Sequence, residues 1–125
     1  MIDHIGISVS DFETSLQFYS SALEPLGLRK IGEDNGWVGF GTSQQAVFWF
    51  GVDTVVQRPM HIAFTAASRE CVKQFYAAAI AAGATCNGAP GLRNRYHKDY
   101  YAAFVIDQDG HNVEAVCHQS TAGQQ

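Results

Sequence analysis

The feature that most constrains this chain is that it repeats itself. His4-Ile5-Gly6-Ile7-Ser8-Val9 is matched by His61-Ile62-Ala63-Phe64-Thr65-Ala66, an offset of 57 positions. Gln17-Phe18-Tyr19 falls on Gln74-Phe75-Tyr76, and Ala22-Leu23 on Ala79-Ile80, in the same register. Three matches at one offset mark two copies of a structural module, so the fold must bury both in equivalent ways. Each copy opens on strict alternation. Ile5, Ile7 and Val9 share one face of a strand, while His4, Gly6 and Ser8 share the other. In the second copy Ile62 and Phe64 oppose His61, Ala63 and Thr65. The bulky apolar face suits packing on a helix. The other face, small or polar and headed by a histidine, suits the lining of a cavity.

A helix follows each opening strand. Ser10 with Glu13 three residues later reads as a capping box, and Phe12, Leu16, Tyr19 and Leu23 form a helical stripe that stops at Pro25 and Gly27. In the second copy Ser68 is the expected N-cap, Val72, Phe75, Tyr76, Ala79 and Ile80 face inward, and Gly83 is the stop. The remainder of each copy reads as short strands. Segments 36–41 and 45–52 flank Gly41-Thr42-Ser43, and segments 100–106 and 111–118 flank the turn Asp107-Gln108-Asp109-Gly110. A longer loop, 87–99, precedes the second hairpin. The expected organisation is a single domain over 1–118, with module one at about 1–55, module two at about 60–118, and a frayed polar tail over 119–125.

At 125 residues the chain can bury a sizeable single core. A net charge of −4 with scattered basic residues disfavours a nucleic-acid surface, which needs clustered Lys and Arg. No apolar run is long enough to span a membrane, and the start Met1-Ile2-Asp3-His4 lacks the features of a signal peptide. Cys71, Cys86 and Cys117, odd in number and with no close pair, suit a reduced, cytoplasmic setting.

The candidate chemistry follows from the repeat. A lone strand histidine is usually an ordinary surface or core residue. Two in repeat register, with Glu114 on the last strand, make a different case. Two imidazoles and one carboxylate form a common ligand set for a divalent first-row metal, leaving positions open for water or substrate. His4, His61 and Glu114 are therefore the expected metal ligands around a shared cavity. The metal is expected to be Zn, Mn, Fe or Ni.

The paired His-Ile openings, the Gln-Phe-Tyr of each helix and the ending Phe104-Val105-Ile106-Asp107-Gln108-Asp109-Gly110-His111-Asn112-Val113-Glu114 resemble the vicinal oxygen chelate superfamily. That superfamily includes glyoxalase I, fosfomycin-resistance thiol transferases, methylmalonyl-CoA epimerase, extradiol dioxygenases and the bleomycin-resistance proteins. The resemblance runs from Met1 to about His118. It implies an α+β fold of tandem βαβββ modules forming a partly open eight-stranded mixed barrel, usually completed in a homodimer. It also places His4, His61 and Glu114 on the family's metal-ligand positions. The fourth ligand of glyoxalase I and the epimerase would fall on Trp49, whose indole nitrogen only donates. A four-ligand site of the glyoxalase I pattern is therefore not expected. Two smaller departures are Gln108, where the family usually carries Pro, and Gly6, where fosfomycin enzymes carry a hydroxyl.

The function implied is a metal-dependent enzyme acting on a small oxygen-chelating substrate, by lyase, isomerase or thiol-transferase type chemistry. The alternative is a bleomycin-resistance-like protein that sequesters a small molecule without chemistry. The loop before the second hairpin supplies the other candidates. Arg93 could clamp a substrate carboxylate or phosphate, Tyr101 could line the substrate, and His97 and Tyr96 could act as acid or base. Trp37 and Trp49 could floor an apolar pocket, with Trp49 contacting substrate.

Overall fold

The computed structural model describes residues 1–43, 45–53, 55–56 and 59–120. Its elements follow the duplicated order. Module one holds β1 (Ile5–Val9), α1 (Phe12–Leu23), a single 3-10 turn (Glu24–Leu26), β2 (Arg29–Asp34), β3 (Trp37–Thr42) and β4 (Gln45–Val52). Module two holds β5 (His61–Thr65), α2 (Arg69–Ala81), β6 (Thr85–Leu92), β7 (Tyr101–Ile106) and β8 (Asn112–Cys117). Each module forms one mixed four-stranded sheet, in the orders β1-β4-β3-β2 and β5-β8-β7-β6. The opening strand pairs in parallel with the last strand of its module, and the other pairings are antiparallel. The sheets are not closed on each other. The molecule is thus the α+β, open, barrel-like arrangement expected of tandem βαβββ modules.

Two strands that sequence patterning did not single out, β2 and β6, are the outer edges of their sheets. Arg29-Lys30-Ile31-Gly32-Glu33-Asp34 is mostly exposed and lacks an apolar alternation. β6 occupies much of the expected 87–99 loop. It carries Pro90 and irregular register, which an edge strand tolerates because one side of its backbone faces no partner. Helix α1 starts one residue later than a capping box at Ser10 requires. Asp11 is the N-cap, its carboxylate accepting from Thr14 N at 3.1 Å. A carboxylate suits the positive helix end better than a hydroxyl. Ser10 N donates instead to Asp109 Oδ2 at 3.2 Å. Ser68 caps α2 as expected, accepting from Cys71 N. Residues 121–125 of the expected tail lie outside the described residues.

The apolar faces of both sheets and the inward stripes of both helices merge into one core. Ile7, Val9, Phe40, Phe48 and Phe50 of module one join Ile62, Phe64, Val105, Val113 and Ala115 of module two. Phe48 and Phe64 meet edge to face at 5.4 Å across the seam, and α1 packs directly on α2. Both helices therefore lie on one side of the molecule. The faces headed by His4 and His61 are left on the other, turned away from this core.

A buried polar contact also ties the modules together. Tyr19 of α1, fully buried, donates from its hydroxyl to Asp107 Oδ2 at 2.6 Å in the β7–β8 turn. Asp107 Oδ1 accepts from the backbone N–H groups of Asp109 and His111. Gln108, where the family usually has Pro, donates to Asp11 O and Ser15 Oγ, so it docks the same turn on α1. Burial, then the Asp107 charge and hydrogen bond, hold the Tyr19 hydroxyl well above its usual pKa. That stabilisation is complete below the unfolded tyrosine value of about 10 and is lost as pH rises beyond it. Tyr19→Phe is expected to cost about 1–3 kcal/mol at neutral pH by leaving a buried acceptor without its donor. It should also flatten the decline of stability above about pH 10. Urea melts across pH 7 to 11 measure both effects.

Candidate functional site

Strand register places the candidate residues before any side chain is considered. In parallel pairing β1 sets Gly6 beside Trp49 of β4, and β5 sets Ala63 beside Glu114 of β8. Gly6 and Ala63 are repeat equivalents, so Trp49 and Glu114 hold equivalent places. The carboxylate in module two is an indole in module one.

In module two, Glu114 is completely buried. Its Oε1 lies 2.7 Å from His61 Nε2, and its Oε2 accepts a hydrogen bond from the Tyr100 hydroxyl. The His61 side chain remains about half exposed, at 53%. Glu114 is thus a buried carboxylate whose immediate partners are an imidazole and a phenol, with no arginine or lysine paired to it among the described residues. Desolvation and the hydrogen bond to Glu114 push the Tyr100 hydroxyl up to about 12, so it stays a donor at neutral pH. Phe104, opposite Glu114 on β7, places its ring 6.2 Å from that of His61. With Ala102, Val116 and Tyr100 it forms an apolar floor around the carboxylate.

In module one, His4 is exposed, and its Nδ1 is 2.7 Å from Asp3 Oδ1. It borders an open cleft of about 490 Å³ lined by His4, Gly6, Asp34, Asn35, Trp37 and Trp49. The two indoles lie flat on the sheet because glycines sit beneath them. A Cβ at Gly51 would come within 2.6 Å of the Trp37 ring, and one at Gly39 within 2.9 Å of Trp49. Gly51→Ala is expected to displace Trp37 and to cost about 1–3 kcal/mol through overpacking. Intrinsic tryptophan fluorescence and a thermal melt measure the displacement and the cost.

The structure brings His61 and Glu114 into contact, while His4 borders two clefts, one with Trp37 and Trp49 and one that it shares with Ile62, Ala63 and Phe64 of β5. Among the described residues no three His, Cys, Asp or Glu side chains converge as a metal-holding group in one chain. Of the loop candidates, Tyr96 packs edge-on against Tyr100 and accepts from Arg95. His97 lies edge-on to the His118 ring at 5.8 Å. Tyr101 joins the helix-side core under the Arg69 guanidinium, on the face opposite Glu114. Its neighbour Tyr100 is the residue that reaches the site. Sequence did carry that signal, since Tyr100 shares strand parity with Ala102 and Phe104, and Phe104 pairs with Glu114. Arg93 lies over the Phe104 ring, its Cζ 5.4 Å from the centroid.

Known proteins agree with this architecture. Residues 1–115 match the family described as the Glyoxalase/Bleomycin resistance protein/Dioxygenase superfamily. No curated protein matches the chain. A glyoxalase/bleomycin resistance protein from Albidiferax ferrireducens is 28% identical, with a TM-score of 0.80, covering 92% of this chain and 97% of that one. A glyoxalase/bleomycin resistance protein/dioxygenase family enzyme from Burkholderia phytofirmans is 20% identical, with a TM-score of 0.70, covering 94% and 98%. A glyoxalase I mutant from Zea mays is 18% identical, with a TM-score of 0.69, covering 92% of this chain and 46% of its own. The last two likenesses show the fold alone. With the family match spanning nearly the whole chain, this protein belongs to the glyoxalase/bleomycin resistance protein/dioxygenase superfamily.

Proposed function

We propose that this chain is a metal-dependent enzyme acting on a small oxygen-chelating substrate, and that it works as a cytoplasmic homodimer. The observation that carries the reading is the fully buried Glu114 carboxylate, held by the His61 imidazole and the Tyr100 hydroxyl, with no arginine or lysine paired to it among the described residues. A buried charge is costly unless it is paired, and a divalent ion at this imidazole and carboxylate would compensate it. The donor set fits Zn, Mn, Fe or Ni. His61 and Glu114 would hold the ion from module two, and His4 of a second copy would complete the set. When bound, the ion would act as a Lewis acid on vicinal substrate oxygens.

The chain's own residues would do the rest. Tyr100 fixes the orientation of the Glu114 carboxylate from the side away from His61. Phe104, Ala102 and Val116 keep water from that carboxylate, which strengthens every charge interaction there. Within one chain α1 lies on α2, and among the described residues His4 joins no metal-holding group with His61 and Glu114. A second copy related by a twofold axis would set the His4 face of one protomer over the His61–Glu114 face of the other, twice. Metal analysis of untagged protein is the direct test. About one ion per chain is expected, lost in His61→Ala. Less than about a tenth of an equivalent after exposure to Zn, Mn, Fe and Ni would sink the reading.

A second reading has its own support. The Trp37–Trp49 platform beside the Asp34 carboxylate would suit sequestration of a flat, aromatic or cationic molecule. Quenching of tryptophan fluorescence by such ligands, unchanged by a chelator, would favour it over the metal-dependent enzyme.

A further inference from the structure

We propose that Arg93 is the specificity residue of the His61–Glu114 face, recognising an oxyanion, carboxylate or phosphate, on the part of the substrate distal to its chelating oxygens. The inference rests on the reading above for the chelating end and adds a substrate class to it.

Arg93 is rooted at the base of the loop that delivers Tyr100. Its backbone N donates to Tyr100 O at 2.7 Å, and its carbonyl accepts from Tyr96 N at 2.9 Å. Leu92 pairs with Tyr101, so Arg93 stands opposite Tyr100, and their side chains share the Glu114 face. The guanidinium folds back over β6. Its Nη2 donates to Ala89 O at 2.8 Å, and its Cζ stands over the Phe104 ring, 5.4 Å from the centroid.

Two glycines make room for this pose. A Cβ at Gly88 would stand 3.1 Å from Arg93 Nη2, and one at Gly91 would stand 3.0 Å from Nη1. Both are tighter than ordinary contact. The chain thus provides a glycine bed, an aromatic face and a carbonyl that together hold a half-buried guanidinium in one place. Among the described residues no carboxylate pairs with it. By contrast, Arg95 lies over the exposed Tyr96 ring and donates to its hydroxyl.

Across the sheet, Ala63, Glu114, Phe104 and Gly88 form one row over β5, β8, β7 and β6. Two strand spacings separate Glu114 from the β6 strand that Arg93 covers, roughly 10 Å between backbones. Side chains from both ends shorten the gap to a few bonds of substrate. A planar fork with no counter-ion among the described residues, tethered to Ala89 O at about that distance, matches an oxyanion bound in bidentate fashion.

The test uses 2-oxoglutarate, which has vicinal oxygens and a distal carboxylate, and 2-oxopentanoate, which keeps the vicinal oxygens and has a methyl group in place of that carboxylate. Both are titrated calorimetrically into metal-loaded full-length protein. Wild type should prefer 2-oxoglutarate by about tenfold or more. Arg93→Gln should erase that preference, and Arg93→Lys should retain part of it. Equal binding of the two probes by wild type, or a preference that survives in a folded Arg93→Gln, overturns the inference. Competition by inorganic phosphate in wild type alone would show that the site takes either oxyanion, and no competition would assign it to carboxylates. Parallel metal analysis keeps the two readings apart. Arg93-dependent phosphate binding by a protein that takes up no metal would sink the metal site and leave the anion site standing.

Discussion

Dimers mixed from His4→Ala and His61→Ala chains are expected to regain metal that neither variant binds alone. If the site is assembled between copies, each of the two sites in a dimer takes His4 from one protomer and His61 with Glu114 from the other. A dimer of His4→Ala chains then has two damaged sites, and so has a dimer of His61→Ala chains. In the mixed dimer both substitutions fall in one site and the other is intact. Such a dimer should hold one ion, about half the wild-type content per chain. Were the ligands gathered within one chain, every site of the mixed dimer would carry one substitution and the content would stay near zero. Co-expression with two different affinity tags, tandem purification, tag removal and metal analysis read the outcome. The His4 and His61 side chains are both about half exposed, and a circular-dichroism melt of each single variant checks that it folds.

Glu114→Gln should abolish the thermal stabilisation that added metal gives wild type. At a free ion concentration of about 100 times Kd, binding stabilises the native state by about 2.7 kcal/mol, on the order of 10 °C in Tm for a domain of this size. Glutamine keeps the shape and an acceptor for Tyr100 but removes the charge. The metal-free variant should therefore melt close to metal-free wild type, or slightly above it, since an unneutralised buried carboxylate is relieved. Only the increment on adding metal should vanish. Differential scanning calorimetry with and without Zn or Mn checks both halves. An equal increment in the variant would remove Glu114 from the ligand set, and a collapse of the metal-free variant would assign it to the fold.

The strands and helices that bury a bulky face were readable residue by residue. Ile5, Ile7 and Val9 alternate with small or polar residues, and the α1 and α2 stripes carry the helical period, because each of these elements has one face in the common core. β2 and β6 escaped the same reading because edge strands with little burial impose no such pattern on their side chains. The N-cap shifted from Ser10 to Asp11 because two adjacent residues can each offer an oxygen to the helix start, and only local geometry chooses between them. Tyr100 and Tyr101 are neighbours of the same type, so sequence alone does not tell which of them faces Glu114. Strand parity separates them once the register of β7 on β8 is known.

The sequence by itself determined that the chain is a duplicated module, that Trp49 stands where Glu114 stands in the other copy, and that His4 and His61 head equivalent strands. Those are matters of period and offset, and they survive any packing of one module on the other. Which residues meet was decided only by tertiary structure. Packing of α1 on α2 buries the two apolar faces in one core, and that same contact turns both polar faces outward. His61, Glu114 and Tyr100 converge because strand pairing within one sheet brings them side by side. His4 immediately precedes β1 of the other sheet, so only the packing of one sheet beside the other sets its neighbours, the two indoles in one cleft and Ile62, Ala63 and Phe64 in another.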